Sequence, residues 1–231
     1  MLRRCPVQVL ACLTMGMHHG ILAASASQAE LLAELERHTG EFVVGARVGC
    51  PYDAEPAAMD WGWRMAIGER DGQAFLLDSS MVISDSADML VAMSARLGRV
   101  VGCGAETVSG SYWLTAARDG VLLRLVFVQH AGMTRGMAIG DPLPSEAEQP
   151  IEGLDGGGLL AAMATLGLHA RPWLEAGPAV VVDYDGARFP DDGPIERVRS
   201  AHYERYQRPE DQSLSEIVAV ERPPRAPEPP P

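Results

Sequence analysis

The chain contains no lysine, and all 19 of its basic residues are arginine. A Walker-type phosphate loop, a pyridoxal Schiff base and a kinase-type nucleotide clamp each need an ammonium at a fixed position, so all three are excluded. No G-x-S-x-G elbow supports a hydrolase serine. Cysteine is sparse: Cys5, Cys12, Cys50 and Cys103 form no C-x-x-C pair and no even framework, which points to a reduced, cytoplasmic setting. No apolar run approaches the roughly 18–20 residues of a membrane span. Positive charge is also scarce, with 22 Asp and Glu against 10 Arg over residues 17–186 and a net charge of −12 for the whole chain. Nucleic-acid binding needs a basic footprint and is disfavoured. A soluble body that repels anions and draws cationic partners is the expectation.

What is present suffices for one sizeable core, since 47% of the 231 residues are apolar. At the N-terminus, Arg3 and Arg4 precede an apolar stretch and then ILAASASQAE, an arrangement similar to a secretory signal. Against that alternative, His18, His19 and Gly20 interrupt the apolar stretch. Ser27 and Glu30 also form an S-x-x-E capping box ahead of Leu31, Leu32 and Leu35, which belongs to a helix of the mature body. Residues 1–16 are therefore read as an upstream extension with Met15 or Met17 as the functional start, and 17–186 as a single domain. Residues 187–231 hold nine of the 17 prolines and end in PPRAPEPPP. They are read as a largely disordered tail, because such a composition buries too little apolar surface to offset ordering entropy.

Within the domain, residues 19–24 read as a strand and 28–38 as a helix ended by Gly40. The turn-rich 41–60 segment reads as loop. Segments 63–68 and 73–79 flank Asp71-Gly72, and 111–117 and 121–129 flank Asp119-Gly120; both pairs are hairpin signals because Asp-Gly tolerates positive φ. Between them the pattern predicts a helix over 85–97, stopped by Gly98, and a strand over 100–103. Strand 121–129 is apolar on both rows except at Arg124, as expected at the centre of a sheet. A helix over 157–166, capped by Asp155, and a strand over 179–184 complete the pattern. The fold class is α+β: an antiparallel sheet of hairpins with about three helices mainly on one face.

The densest chemistry lies in VVGCGAETVSGSYW. Cys103 as nucleophile, His130 as base and Glu106 as orienting group would make a small cysteine-dependent enzyme. The plainer reading is a buried cysteine before a glycine-rich turn. No metal site is expected, because His18 and His19 are adjacent and Asp183, Asp185 and Gly186 lack the rest of a calcium loop. No cofactor is expected either: Gly156, Gly157 and Gly158 do not match G-x-G-x-x-G, and Asp155 already caps those amides. Trp61, Trp63 and Trp113 could line a groove but suit sheet positions. Between Arg135 and Arg171 lie Asp141, Glu146, Glu148, Glu152 and Asp155 without a basic residue, and Pro142, Pro144 and Pro150 favour a fixed loop. Such a loop is a docking surface for a basic protein; a solvated acidic connection is the alternative.

VVGCGAETVSGSYW, the ARDG hairpin and DPLPSEAEQPIEGLDGGGLLAAMATLG together resemble a group of uncharacterised proteins of GC-rich bacteria. Some of that group are similar to immunity proteins that neutralise contact-dependent toxins. The resemblance spans residues 17–175 and carries over no catalytic residue. It implies a non-enzymatic inhibitor occluding a basic toxin domain. The cysteine enzyme and a structural domain without a partner remain as alternatives.

Overall fold

The computed structural model describes residues 18–40, 42–54, 63–130 and 135–184. The suggested extension 1–16, the turn at Asp185-Gly186, Trp61 and the Pro-rich tail lie outside them. Nine strands form one sheet: β1 His18–Ala24, β2 Phe42–Val48, β3 Trp63–Arg70, β4 Gln73–Asp78, β5 Arg99–Glu106, β6 Ser111–Arg118, β7 Val121–Gln129, β8 Arg135–Gly140 and β9 Ala179–Tyr184. Their order is β2-β9-β3-β4-β1-β5-β6-β7-β8, and every neighbouring pair is antiparallel. The fold is thus α+β on an antiparallel sheet. Both Asp-Gly turns form as the sequence implies, with φ of 53° and 72° at Asp71 and Gly72 and of 50° and 78° at Asp119 and Gly120. Positive φ at both central residues matches the right-handed twist of the flanking strands.

Five α-helices, among the described residues, accompany the sheet: α1 Gln28–Thr39, α2 Val82–Asp85, α3 Ala87–Leu97, α4 Gly156–Thr165 and α5 Ala170–Ala176. About three helices mainly on one face were expected; instead both faces are covered. The alternation of β1 shows why. Ile21 and Ala23 join the core formed with Leu159, Met163 and Trp173 of α4 and α5. Leu22 and Ala24 join the core formed with Leu31 and Leu35 of α1 and Leu90 and Met93 of α3. A central strand that is apolar on both rows demands two covering layers.

Local chemistry sets the ends of the helices. Ser27 and Glu30 make the reciprocal capping box of α1, and the bonds from Ser27 hold the Glu30 carboxyl below its ordinary range. The helix expected over 85–97 forms as Ala87–Leu97, and a separate short helix, Val82–Asp85, precedes it across Ser86. Buried Asp78 gathers the preceding turn, accepting from Ser80 N at 3.1 Å and Ser84 N at 2.9 Å, while Met81 takes a left-handed φ of 63°. This draws α2 onto the sheet. A Cβ on Gly102 would lie 2.4 Å from both the Ser84 carbonyl oxygen and Leu90 Cδ1, so only glycine admits the approach.

Residues 41–60 are not simply loop. Phe42–Val48 is a strand and Pro51–Ala54 a 3₁₀ turn; residues 55–60 lie outside the description. β2 is an edge strand with nearly every residue exposed, Val43 at 68% and Val44 at 57%, so it lacks the half-buried alternation that marks strands in sequence. β8 and α5 were likewise not anticipated.

Gly102→Ala should lower stability by about 2 kcal/mol or more, because the added methyl meets backbone. Gly49→Ala, where a Cβ meets nothing within 4 Å, should stay within about 0.5 kcal/mol. Urea unfolding of the two variants checks the contrast.

Candidate functional site: the acidic loop and its cleft

Cys103, His130 and Glu106 do not converge. Cys103 lies on β5, paired with Leu114 of β6, and its side chain enters the core beneath α4, where Sγ lies 3.4 Å from Met163 Sδ. Glu106 is three residues further along the same strand. An odd spacing on a regular strand puts two side chains on opposite faces, here about 10 Å apart along the chain. Glu106 binds the Ser109 hydroxyl in its own turn. His130 follows β7; its N–H donates to Gly110 O at 2.9 Å and its ring lies 5.7 Å from that of Tyr112. Burial pushes the Cys103 thiol up to about 12. A nucleophile needs the thiolate near neutral pH, and this environment opposes it.

The other candidates fall into structural roles. His38 pairs with Glu34, which also receives Arg37 and Arg96. Asp183 of β9 is held by Arg64 of β3 at 2.7 and 3.1 Å, and that contact raises the arginine's affinity for its proton. Trp113 is buried over Gly104. Side chains of His18 and Trp63 are outside the description. No group of three or more His, Cys, Asp or Glu able to hold a metal occurs among the described residues. Nor is any helix among them long and apolar enough to cross a membrane.

The acidic stretch is built into the fold. After β8, two 3₁₀ turns, Pro144–Ala147 and Ile151–Gly153, lead into α4. Arg124, at the middle of β7 and only 3% exposed, reaches the first of them. Its Nε donates to Glu146 Oε1 at 2.9 Å, its second terminal nitrogen donates to Oε2, and NH1 donates to Gly140 O at 2.6 Å. Leu143 N also donates to Oε1, at 2.8 Å. Further on, Asp155 caps α4 by accepting from Gly158 N at 2.8 Å. Gln149 Nε2 ties Gly153 O at 2.8 Å to Asp155 Oδ1 at 3.1 Å.

The five candidate partner-binding carboxylates therefore divide. Glu146 faces inward and holds the loop. Asp155 is exposed while capping α4, Asp141 and Glu148 are exposed, and the side chain of Glu152 lies outside the description. Sequence reasoning missed the role of Arg124, although its isolation in an apolar strand was the signal: a buried guanidinium demands a buried acceptor.

Between the loop, the faces of β6 and β7 and the side of α4 lies a cleft of about 270 Å³. Leu114, Val126, Leu143, Ile151, Leu154 and Ala162 supply its apolar walls, and Ala161 stands at an exposed edge. Its polar lining is Ser145, Glu146, Glu148 and Gln149. No protein family, curated protein or solved structure matches this chain.

Arg124→Met should cost about 3 kcal/mol, since it leaves the partly buried Glu146 carboxylate without its counter-charge, and adding Glu146→Gln should recover part of the loss; denaturant unfolding of the single and double variants measures both. For Cys103 the sign is set by the raised folded-state pKa. The native state holds the thiol proton that the unfolded chain releases near 9.0, so its stabilising contribution is complete below pH 9 and is lost as pH rises toward 12. Iodoacetamide at pH 7.5 should accordingly leave Cys103 unmodified in the native protein and label it after unfolding, as peptide mass analysis would report. Cys103→Ala should soften the alkaline decline in stability.

Proposed function

We propose that this chain is a non-enzymatic binding protein that presents the acidic 141–155 loop to a basic protein and acts by occlusion, in the manner of an immunity-type inhibitor. The observation that carries the reading is the Arg124–Glu146 clamp: it fixes a loop that exposes carboxylates and lies in a stretch of sequence with no basic residue between Arg135 and Arg171. A preorganised surface of one sign steers an oppositely charged partner and suppresses others, raising association rate more than affinity. Six further arginines are engaged elsewhere in the frame. Arg37 and Arg96 serve Glu34, Arg64 serves Asp183, Arg70 and Arg118 pair with the turn aspartates beside them, and Arg99 donates to Leu166 O. The resemblance drawn from residues 17–175 points to the same class of partner.

The test uses basic proteins encoded beside this gene, assayed against the purified chain by stopped-flow and calorimetry. Asp141→Arg with Glu148→Arg should slow association roughly tenfold at low ionic strength, and added salt should shrink the difference. Cys103→Ala should bind as the parent does. Equal association rates for parent and charge-reversed protein would defeat the proposal.

A further inference from the structure

The cleft under the acidic loop has an uneven inventory of hydrogen-bonding groups. The Ser145 hydroxyl oxygen is buried and has no partner. Both amide protons of Gln149 are committed, to Gly153 O and Asp155 Oδ1, so the group it has left to offer is the acceptor Oε1. Gly158 N is committed to Asp155. Glu148 contributes an exposed carboxylate at the mouth, and no cationic side chain lines the space. Arg124, though close to the cleft, is bound bidentately to Glu146 and donates its remaining terminal nitrogen to Gly140 O. An anion would meet carboxylates here without a counter-charge. A neutral apolar molecule would displace water from the Gln149 acceptor and the Glu148 carboxylate without replacing its hydrogen bonds, which is costly.

Acceptors at one end and aliphatic walls along the rest suit a group with a methylene stem and a cationic head, because such side chains bury the stem and keep the head among oxygens. The volume, about 270 Å³, is just under the ~300–1,000 Å³ of pockets for cofactor-sized ligands. It fits one side chain. We propose that the cleft receives a single arginine or lysine side chain projecting from the basic partner, with its stem against Leu114, Val126 and Leu154 and its head among Ser145, Gln149 and Glu148. This deepens the acidic-surface reading and rests on it: the loop supplies long-range attraction, and the cleft supplies an anchor of the kind that dominates interface energies.

The probes are blocked tripeptides carrying arginine, lysine or norleucine between two glycines, with free n-butylammonium and n-butyrate alongside. Each is titrated at constant ionic strength while the amide resonances of residues 143–158 are followed by NMR. The arginine or lysine peptide should saturate at least tenfold more tightly than the norleucine peptide, and butyrate should not saturate. Ala161→Phe changes an exposed position at the edge of the cleft and leaves every carboxylate in place; it should abolish peptide saturation while the folded spectrum persists. Ser145→Val should weaken saturation severalfold. Equal binding of the norleucine peptide, saturation by butyrate, or indifference to Ala161→Phe would each overturn the proposal. The two readings separate in the partner assay. If charge reversal at Asp141 and Glu148 slows association and Ala161→Phe has no effect on affinity, the anchor fails and the acidic surface stands. If the peptides bind as described and Asp141→Arg, which lies outside the cleft lining, leaves association unchanged, the acidic surface fails.

Discussion

A guanidinium in the middle of an apolar strand must be answered from elsewhere in the chain, and in this protein the answer comes from the loop after the last strand of the meander. Arg124 is almost wholly buried, and its carboxylate partner sits in the first 3₁₀ turn of that loop. The pair ties an exposed connection to the sheet at a point where neither side can move without stranding a charge, which costs several kcal/mol. From that anchor follow the course of the 141–155 segment, the position of Asp155 at the head of α4, and the space left between loop, sheet and helix. The pair is also short in sequence, 22 residues apart, so closing it costs little chain entropy once β7 and β8 are in register.

Much of the frame was legible because local rules and tertiary needs agree in it. Asp-Gly turns, the Ser27–Glu30 capping box, the Asp155 cap and the apolar rows of α1 and α3 each act within a few residues. The missed features depend on distant neighbours. β2 is exposed along most of its length, so no alternation betrays it; it is a strand only because β9 pairs with it. The break between α2 and α3 depends on Asp78, six residues upstream of the Ser84 amide that it binds. Coverage of the second face was implicit in the doubly apolar strands and was read too narrowly. For the site, Glu106 could have been separated from Cys103 by their odd spacing alone, whereas the burial that makes the thiol inert required α4 to be placed.

The distribution of charge follows from the same division between near and far. With no lysine available, every arginine is a planar fork suited to fixed, bidentate contacts; Arg64 and Arg124 are used that way, joining strand to strand and strand to loop, and Arg96 joins helix to helix by a single contact. Part of the positive charge is thereby tied to the framework. The carboxylates that exceed it stay outside, where the field they create extends over roughly a Debye length. An acidic surface with a rigid interior is thus one consequence of a single compositional bias.

The place of β9 has a bearing on how the molecule comes together. The strands from β5 to β8 join neighbours in chain order and can pair as they emerge. β2, by contrast, has β9 as its neighbour among the described residues, and β3 receives its second neighbour from the same strand. That wing waits on residues 179–184, well over a hundred positions downstream of β2, and such distant closures are slow steps. During synthesis, Val43 and Val44 therefore remain without their β9 neighbour until almost the whole domain has left the ribosome, whereas the β3–β4 hairpin and the β5–β8 meander need only strands close to them in the chain.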